Sequence, residues 1–533
     1  MRVVFILILV VILLNQVSGW ELSYTLPGDE LRESFRATGV YYVDEGLVVI
    51  GVHSKGLKER YFVVMRINPI DGAVLWARKY TFEVNGKPLP PESLPAGRSI
   101  VLQSGDGMYI ITPVTFNYTV STLIIRTNIK GDIRWAKLIV ADQILKNRSY
   151  KRQVTPIDAI VSEDNSLYIL ARSRAWREIH LPNGVVMKFS PDGDLEWATV
   201  VSLKGTGFDP RAVVFNSSLY IMGTSAITAL GGARIVVLKL DSNNGSVLEG
   251  LSIRSGDVLY GDDMTISDAL LYILAHKKTE TIYPVIIASD GEGILWSKKI
   301  NGRGVVPKFL LTDGERLYMA GIISGIWGGP RNLSDHAFVV GMSREGEVIW
   351  ARAYPSPALN GPILGGFAIG GGRLYGFMVP FGSITGFGFS PSVEGEDNCG
   401  KEISFDVSPI DVESGKVNTK NILAFNPNIR IYDVNGSTES ISIKFADICS
   451  RKAEVTVTKS TTSIKKQESE STTTTHITTK TPSRTTVTVT GTLSKTTKPP
   501  TKESPARSTS KSTCGPVVLV VLVALPTLLR KRL

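Results

Sequence analysis

No Cys-x-x-Cys-His run occurs in this chain, which excludes a covalent haem site, and its cysteines number only three, Cys399, Cys449 and Cys514. Histidine is nearly as scarce. His53, His180, His276, His336 and His476 are scattered without a His-x-x-x-His pair, so no zinc-hydrolase ligand set is visible. Gly-x-Ser-x-Gly is absent too, which removes the nucleophile elbow of an α/β-hydrolase. No long amphipathic helical segment interrupts the body of the chain, so both architecture and chemistry must be sought among β-strands.

An overall basic excess is also missing from the body, despite a formal net charge of +10. Between Arg451 and Thr513 twelve Lys/Arg stand against four Glu, and Arg2, Arg530, Lys531 and Arg532 add four positives. Residues 3–450 are left at about −2. The positive charge belongs to a tail and to membrane flanks, and no nucleic-acid partner is indicated.

The chain opens "MRVVFILILVVILLNQVSGW", with one basic residue, an apolar run from Val3 to Leu14, and small Ser18 and Gly19. This is the anatomy of a secretory signal peptide over residues 1–19, with Trp20 the first mature residue. An uncleaved anchor is the alternative, but the run is short for a membrane span of about 20 residues. Residues 451–513 hold 31 Ser or Thr among 63 and no aromatic. Such a segment is too polar to offset its ordering entropy and reads as an unfolded, O-glycosylated stalk. Its span is about 45 Å as a flexible coil and about 195 Å extended. Residues 514–533, "CGPVVLVVLVALPTLLRKRL", end an apolar run in a basic cluster, which places the preceding chain outside the membrane.

Cys514-Gly515-Pro516, the Leu/Val-rich run, Pro526 and the final Arg-Lys-Arg resemble the Cys-Gly-Pro C-terminal sorting signal of Thermococcales archaeal surface proteins. The resemblance covers about the last twenty residues. It implies attachment at the outer membrane face, with processing or lipid attachment at Cys514. A plain short membrane helix is the other reading.

Three signals recur in fixed order along the body. The first is a Leu-Tyr strand: "EGLVVIG" at Glu45, "DGMYIIT" at Asp106, "NSLYILA" at Asn165, "SSLYIMG" at Ser217, "ALLYILA" at Ala269, "ERLYMAG" at Glu315 and "GRLYGFM" at Gly372. The second is an apolar strand, from "YFVVMRI" through "TLIIRTN", "GVVMKFS", "RIVVLKL", "YPVIIAS" and "AFVVGMS" to "EISFDVS". The third is a glycine turn followed by Trp76, Trp135, Trp197, Trp296 or Trp350, with Glu249 in the Trp place of the fourth unit. Asp-Gly, Lys-Gly and Glu-Gly turns between β-rich runs signal hairpins. With an apolar run before each Leu-Tyr strand, a unit reads as four antiparallel strands in roughly 45–65 residues. The expected fold is an all-β, seven-bladed β-propeller over residues 20–420, six or eight blades remaining open.

Glycine allows the turn positive φ, and the indole four residues on is an apolar plate for the gap between blades. The seventh unit, near "VESGKVNTKNI", has Asn418 where Trp is expected, and Trp20 to Leu26 reads as an N-terminal strand that closes the ring. Residues 421–450 read as an appended hairpin or blade completion. The pattern resembles the pyrroloquinoline-quinone-like, Trp-containing propeller repeats of microbial surface proteins, from about Trp20 to Asn421. That resemblance is one of repeat type and implies no particular activity. The vicinal cysteines of quinoprotein dehydrogenases are absent, so no cofactor is expected, nor a metal.

Cys399 and Cys449 are placed to pair in an oxidising exterior, a buried free thiol being the alternative. Two loops depart from their repeats: Trp176, Arg177 and His180 in one, Trp327, Arg331 and His336 in the other. Aromatics beside arginines suit recognition of a sugar, peptide or partner surface, though a loop Trp also packs over its own blade. "YGDDM" offers Asp262 and Asp263 at a blade mouth without naming a partner, and a solvated loop is the plainer reading. Asn117, Asn147, Asn216, Asn244, Asn332 and Asn435 begin Asn-x-Ser/Thr acceptor sites. The favoured reading is a monomeric, surface-anchored, non-catalytic module that binds an extracellular glycan, peptide or envelope protein. Its rival is an extracellular hydrolase or lyase whose acidic residues meet only in the folded channel.

Overall fold

The computed structural model describes residues 21–25, 33–55, 59–91, 99–145, 148–176, 179–225, 233–256, 258–327, 329–330, 333, 336–355, 362–380, 385–396, 400–425, 427–441, 444–447 and 455–456. The signal peptide, nearly all of the stalk and the membrane segment expected from sequence lie outside them. Among the described residues no helix is long and apolar enough to cross a membrane.

The strands form a seven-bladed β-propeller. Blades 1 to 6 occupy residues 33–84, 100–152, 155–203, 209–254, 258–301 and 305–355. Blade 7 takes Pro362–Gly370, Arg373–Pro380 and Thr385–Phe389, and its fourth strand is Glu21–Thr25 from the other end of the chain. The expected N-terminal closure is therefore present. The first strand of each blade touches the first strands of its neighbours, so these seven strands line the channel. Alternation along each strand sends one row of side chains to each adjacent blade. The described residues accordingly form seven buried clusters, one per seam, such as Leu271, Ile273 and Ala275 toward blade 4 and Tyr272 and Leu274 toward blade 6.

One reading of the C-terminal part needs correction. "EISFDVS" is not the third strand of blade 7, a place held by Thr385–Phe389. Instead residues 401–447 run once around the outside of the ring as a belt. Lys401–Glu402 pairs with blade 6, Asp406–Pro409 with blade 5, Glu413–Lys416 with blade 4 and Ile422–Phe425 with blade 3. Asn428–Asp433 then pairs with blade 2, Asn435–Ser440 with blade 1 and Lys444–Asp447 with blade 7. Blades thus have five strands rather than four. The physical reason is the outer edge: a four-stranded blade leaves a row of unpaired backbone groups, and the belt covers part of every such edge. In five blades it is fastened at the small residue after the Trp place, which Glu249 fills in blade 4. The carbonyls of Ala351, Ser297, Gly250, Ala136 and Ala77 accept the N–H groups of Ile403, Ile410, Val417, Val434 and Ile441.

The repeated glycine and tryptophan act across seams. Gly131 of blade 2, at φ +81°, would place a Cβ 2.9 Å from the Trp76 ring of blade 1. Gly193 on Trp135, Gly245 on Trp197, Gly346 on Trp296 and Gly395 on Trp350 repeat the contact at 2.4–2.7 Å. Each glycine therefore supplies both positive φ and a flat seat for the preceding blade's indole. The residue after it often adds an ion pair. Asp132 meets Arg78 at 2.7 Å, Asp194 meets Lys137 at 3.1 Å, and Glu347 meets Lys298. Those cations also lie over the indoles of Trp76, Trp135 and Trp296, 5.6–5.9 Å from the ring centroids.

Candidate functional site at the channel mouth

Antiparallel order puts the start of each first strand and the end of each second strand at one face of the ring. Among the described residues, six channel strands carry a bulge there, with Thr38, Ile157, Arg211, Asp262, Lys308 or Gly365 as the extra residue. A bulge re-aims a side chain out of the pleat, so this position presents a different group from each of those six blades. The residue just past it can also tie blades together. Asp158 Oδ2 accepts the Val213 N–H and Asp263 Oδ2 the Leu310 N–H, both at 2.9 Å and both across a seam.

In blades 3 to 5 the layer is polar. Arg172, near the end of blade 3's second strand, places Nε 2.5 Å from Asp209 Oδ1 of blade 4. Arg211 places Nη2 2.9 Å from the other oxygen of the same carboxylate. All three side chains are partly buried, at 20–33% exposure, where ion pairs are screened less than at an open surface. The Nε–H groups of Arg211 and Arg234 are buried and meet no acceptor among the described residues. Exposed Lys308 of blade 6 and Arg303 in the turn before it add further positive charge at this end.

Blade 5 contributes a second group. Asp262 Oδ2 lies 2.6 Å from His276 Nδ1. Tyr260 and His276 are strand partners, and their rings stack at 5.2 Å with 23° between planes. The two groups are neighbours: Thr224 is the strand partner of Asp209, and its Oγ1 accepts the N–H of Gly261, between Tyr260 and Asp262, at 3.1 Å. One strand spacing plus one hydrogen bond separates them, about 10 Å in all. Among the described residues no set of three or more His, Cys, Asp or Glu is placed to hold a metal ion.

The loops singled out from sequence belong to this same face, because both connect a second to a third strand. Trp176 pairs with Ile179 at a hairpin end in blade 3, and His180 follows in the next strand. Trp327 ends the short 3₁₀ turn Gly325–Trp327 of blade 6, beside Ile326, which is 90% exposed. His336 opens the following strand, its N–H donating to the Leu333 carbonyl at 3.2 Å. Arg177, Arg331, Cys399, Cys449, Cys514, Asn147 and Asn332 lie outside the described residues. Asn117, Asn216, Asn244 and Asn435 are exposed, the first in a turn on the channel-mouth face.

Sequence reasoning named Asp262 without a partner and passed over Arg172, Asp209, Arg211, Arg234, Tyr260 and His276 as site residues. A signal was available. Five places after the Leu, or its Met substitute, of the Leu-Tyr strand stand Val52, Pro113, Arg172, Thr224, His276, Ile322 and Val379. Polar residues fill that place in three consecutive repeats only.

No family model matches the chain, and no curated protein matches it. Among solved structures, the polysaccharide lyase Uly1 is similar over 69% of this chain and 91% of its own, at 11% identity and a TM-score of 0.41. A protein of unknown function from Dyadobacter fermentans DSM 18053 is similar over 70% of this chain and 99% of its own, at 9% identity and a TM-score of 0.35.

Proposed function

We propose that this protein is displayed on the outer face of the cell membrane and that its propeller binds an acidic extracellular polymer at the channel mouth of blades 3 to 5. The C-terminal anchor and glycosylated stalk expected from sequence would hold the ring away from the lipid, with Trp176 and Trp327 on the rim of the binding face. The carrying observation is the Arg172–Asp209–Arg211 group, with the Nε–H groups of Arg211 and Arg234, which meet no acceptor among the described residues, beside it. Buried donors without acceptors are costly, and a carboxylate or sulfate on the ligand would satisfy them with charge-assisted hydrogen bonds.

A glycan array probed with the purified protein tests this reading. Acidic glycans should be retained, less so as salt is raised, and Arg211→Ala should weaken retention at least tenfold, the loss of about one charge-assisted hydrogen bond. Retention of neutral glycans that Arg211→Ala leaves unchanged would overturn it, as would retention of none.

A further inference from the structure

Among the described residues the Tyr260–Asp262–His276 group has no counterpart in the other blades. The place of His276 holds Val52, Pro113, Arg172, Thr224, Ile322 or Val379, and the bulge place of Asp262 holds a carboxylate nowhere else. Among the described residues, only blade 5 therefore puts an imidazole and a carboxylate at these two strand positions. A carboxylate 2.6 Å from Nδ1 favours the tautomer with hydrogen on that nitrogen and leaves Nε2 as the proton acceptor. The imidazole and Asp262 side chains retain 18% and 14% of their surface, enough to meet a ligand while shielded from bulk water. Glycoside hydrolysis is the poorer match, since it needs one carboxyl group free as an acid and a second as base or nucleophile. Asp209 is held by two arginines and Asp262 by His276.

We infer that blade 5 carries out β-elimination on a uronate-containing polysaccharide, with His276 and Tyr260 as the groups that move protons. This rests on the binding reading above. Arg211 and Arg172 face the uronate carboxylate and lower the cost of charge that develops on it. His276 Nε2 removes the hydrogen on the carbon next to that carboxylate. The electron pair of the broken C–H bond becomes the new C=C bond, and the C–O bond to the departing sugar breaks. The Tyr260 hydroxyl gives its proton to the leaving oxygen, and the proton on His276 returns to Tyr260 through solvent. No water, oxidant or reductant is consumed. Asp262 does not touch the substrate and acts as a positioning residue for the imidazole.

The test incubates the full-length protein with polygalacturonate, alginate and chondroitin sulfate, with DNA as a polyanion that lacks uronate. Retention is measured beside the ultraviolet absorbance of the conjugated double bond. The expected result is retention of a uronate polymer and growth of unsaturated ends. His276→Ala and Tyr260→Phe should each lose turnover by at least about 100-fold while retention stays within a few-fold. Asp262→Asn should lower turnover with retention intact, and Asp262→Glu should restore part of it. Retention without unsaturated ends overturns elimination and leaves the binding reading standing. Retention of none overturns both. New reducing ends without the double bond, or full turnover by His276→Ala, overturn the assignment of chemistry.

Discussion

Glu249 marks the one repeat in which the Trp place holds a charged residue, and the structure records what the indole would have filled. The seam between blades 4 and 5 has a cavity of about 180 Å³ lined by Leu248, Glu249, Gly250, Gly291, Glu292, Lys416, Val417 and Thr419. The seat for the absent ring is already made: Gly291 has φ +92°, and a Cβ built on it comes no closer than 3.7 Å to any neighbour. Glu249→Trp should therefore stabilise the fold. A half-buried indole, as in the other seams, covers about 100–150 Å² of apolar surface, or about 2.5–3.5 kcal/mol gross. Allowance for a partly collapsed unfolded chain and for ordering the side chain leaves about 1–2 kcal/mol. Over about 430 folded residues that raises Tm by about 1–2 °C in calorimetry. A second substitution makes the test sharper. Gly291→Ala in the native background should cost only the strain of positive φ, about 1–2 kcal/mol. Combined with Glu249→Trp it meets the introduced ring and adds a coupling of about 1–3 kcal/mol. An unchanged Tm together with no coupling would refute the seat-and-plate account of the seams.

The same account predicts that Gly193→Ala, whose Cβ would lie 2.6 Å from Trp135, costs about 2–4 kcal/mol in urea unfolding. Gly372→Ala, at φ +71° with nothing within 4 Å, should cost only about 1–2 kcal/mol, and equal costs would count against the indole contact. Deletion of the chain from Lys401 onward should expose the outer edges of the blades and give aggregates in light scattering, and a soluble monomeric ring would contradict the role assigned to the belt. Lys401 on blade 6 and Asp447 on the adjacent blade 7 each stand two positions in sequence from a cysteine, Cys399 and Cys449, so a non-reducing digest should contain the Cys399–Cys449 peptide pair. Alkylation of both thiols without reduction would exclude it. Burial pushes the Asp313 carboxyl up, but the Tyr318 hydroxyl and the Arg316 and Glu315 N–H groups outweigh it and hold it below its ordinary value. A depressed folded value contributes stability above the unfolded carboxylate range and loses it as pH falls further. Asp313→Asn should thus flatten the acid limb of the Tm–pH curve below about pH 4, and an unchanged limb would argue against it.

Blade count and the N-terminal closure were legible because they follow from local signals repeated along the chain: a turn, a period-two strand, a plate. The belt was misread because its strands are short, many are polar, and they are at most partly buried, so they lack the sustained hydrophobic alternation that marks a buried strand. One trace was there. Ile403, Ile410 and Val417 recur every seven residues, one step per blade, or about 24 Å of extended chain. The channel cluster was harder to foresee, since Arg172, Asp209, Tyr260 and His276 come from three repeats and meet only through the ring's curvature. A bulge position also shifts the strand's parity by one residue, so simple alternation sends Asp262 to the wrong side.

The belt also sets the order in which the molecule can be completed. Its contacts join residues as much as 425 positions apart, Leu22 and Asp447, and contacts so distant in sequence make folding slow. Glu21–Thr25 must wait for Thr385–Phe389, and the outer edges of blades 1 to 6 stay open until residues 401–440 have been made. Closure then travels backward around the ring, from blade 6 to blade 1, and finishes on blade 7 beside the strand that entered first. A nascent chain interrupted at any earlier point still presents unpaired strand edges, which is the kind of surface that chaperones and proteases recognise. Completeness of the polypeptide is thereby converted into a physical property of its rim.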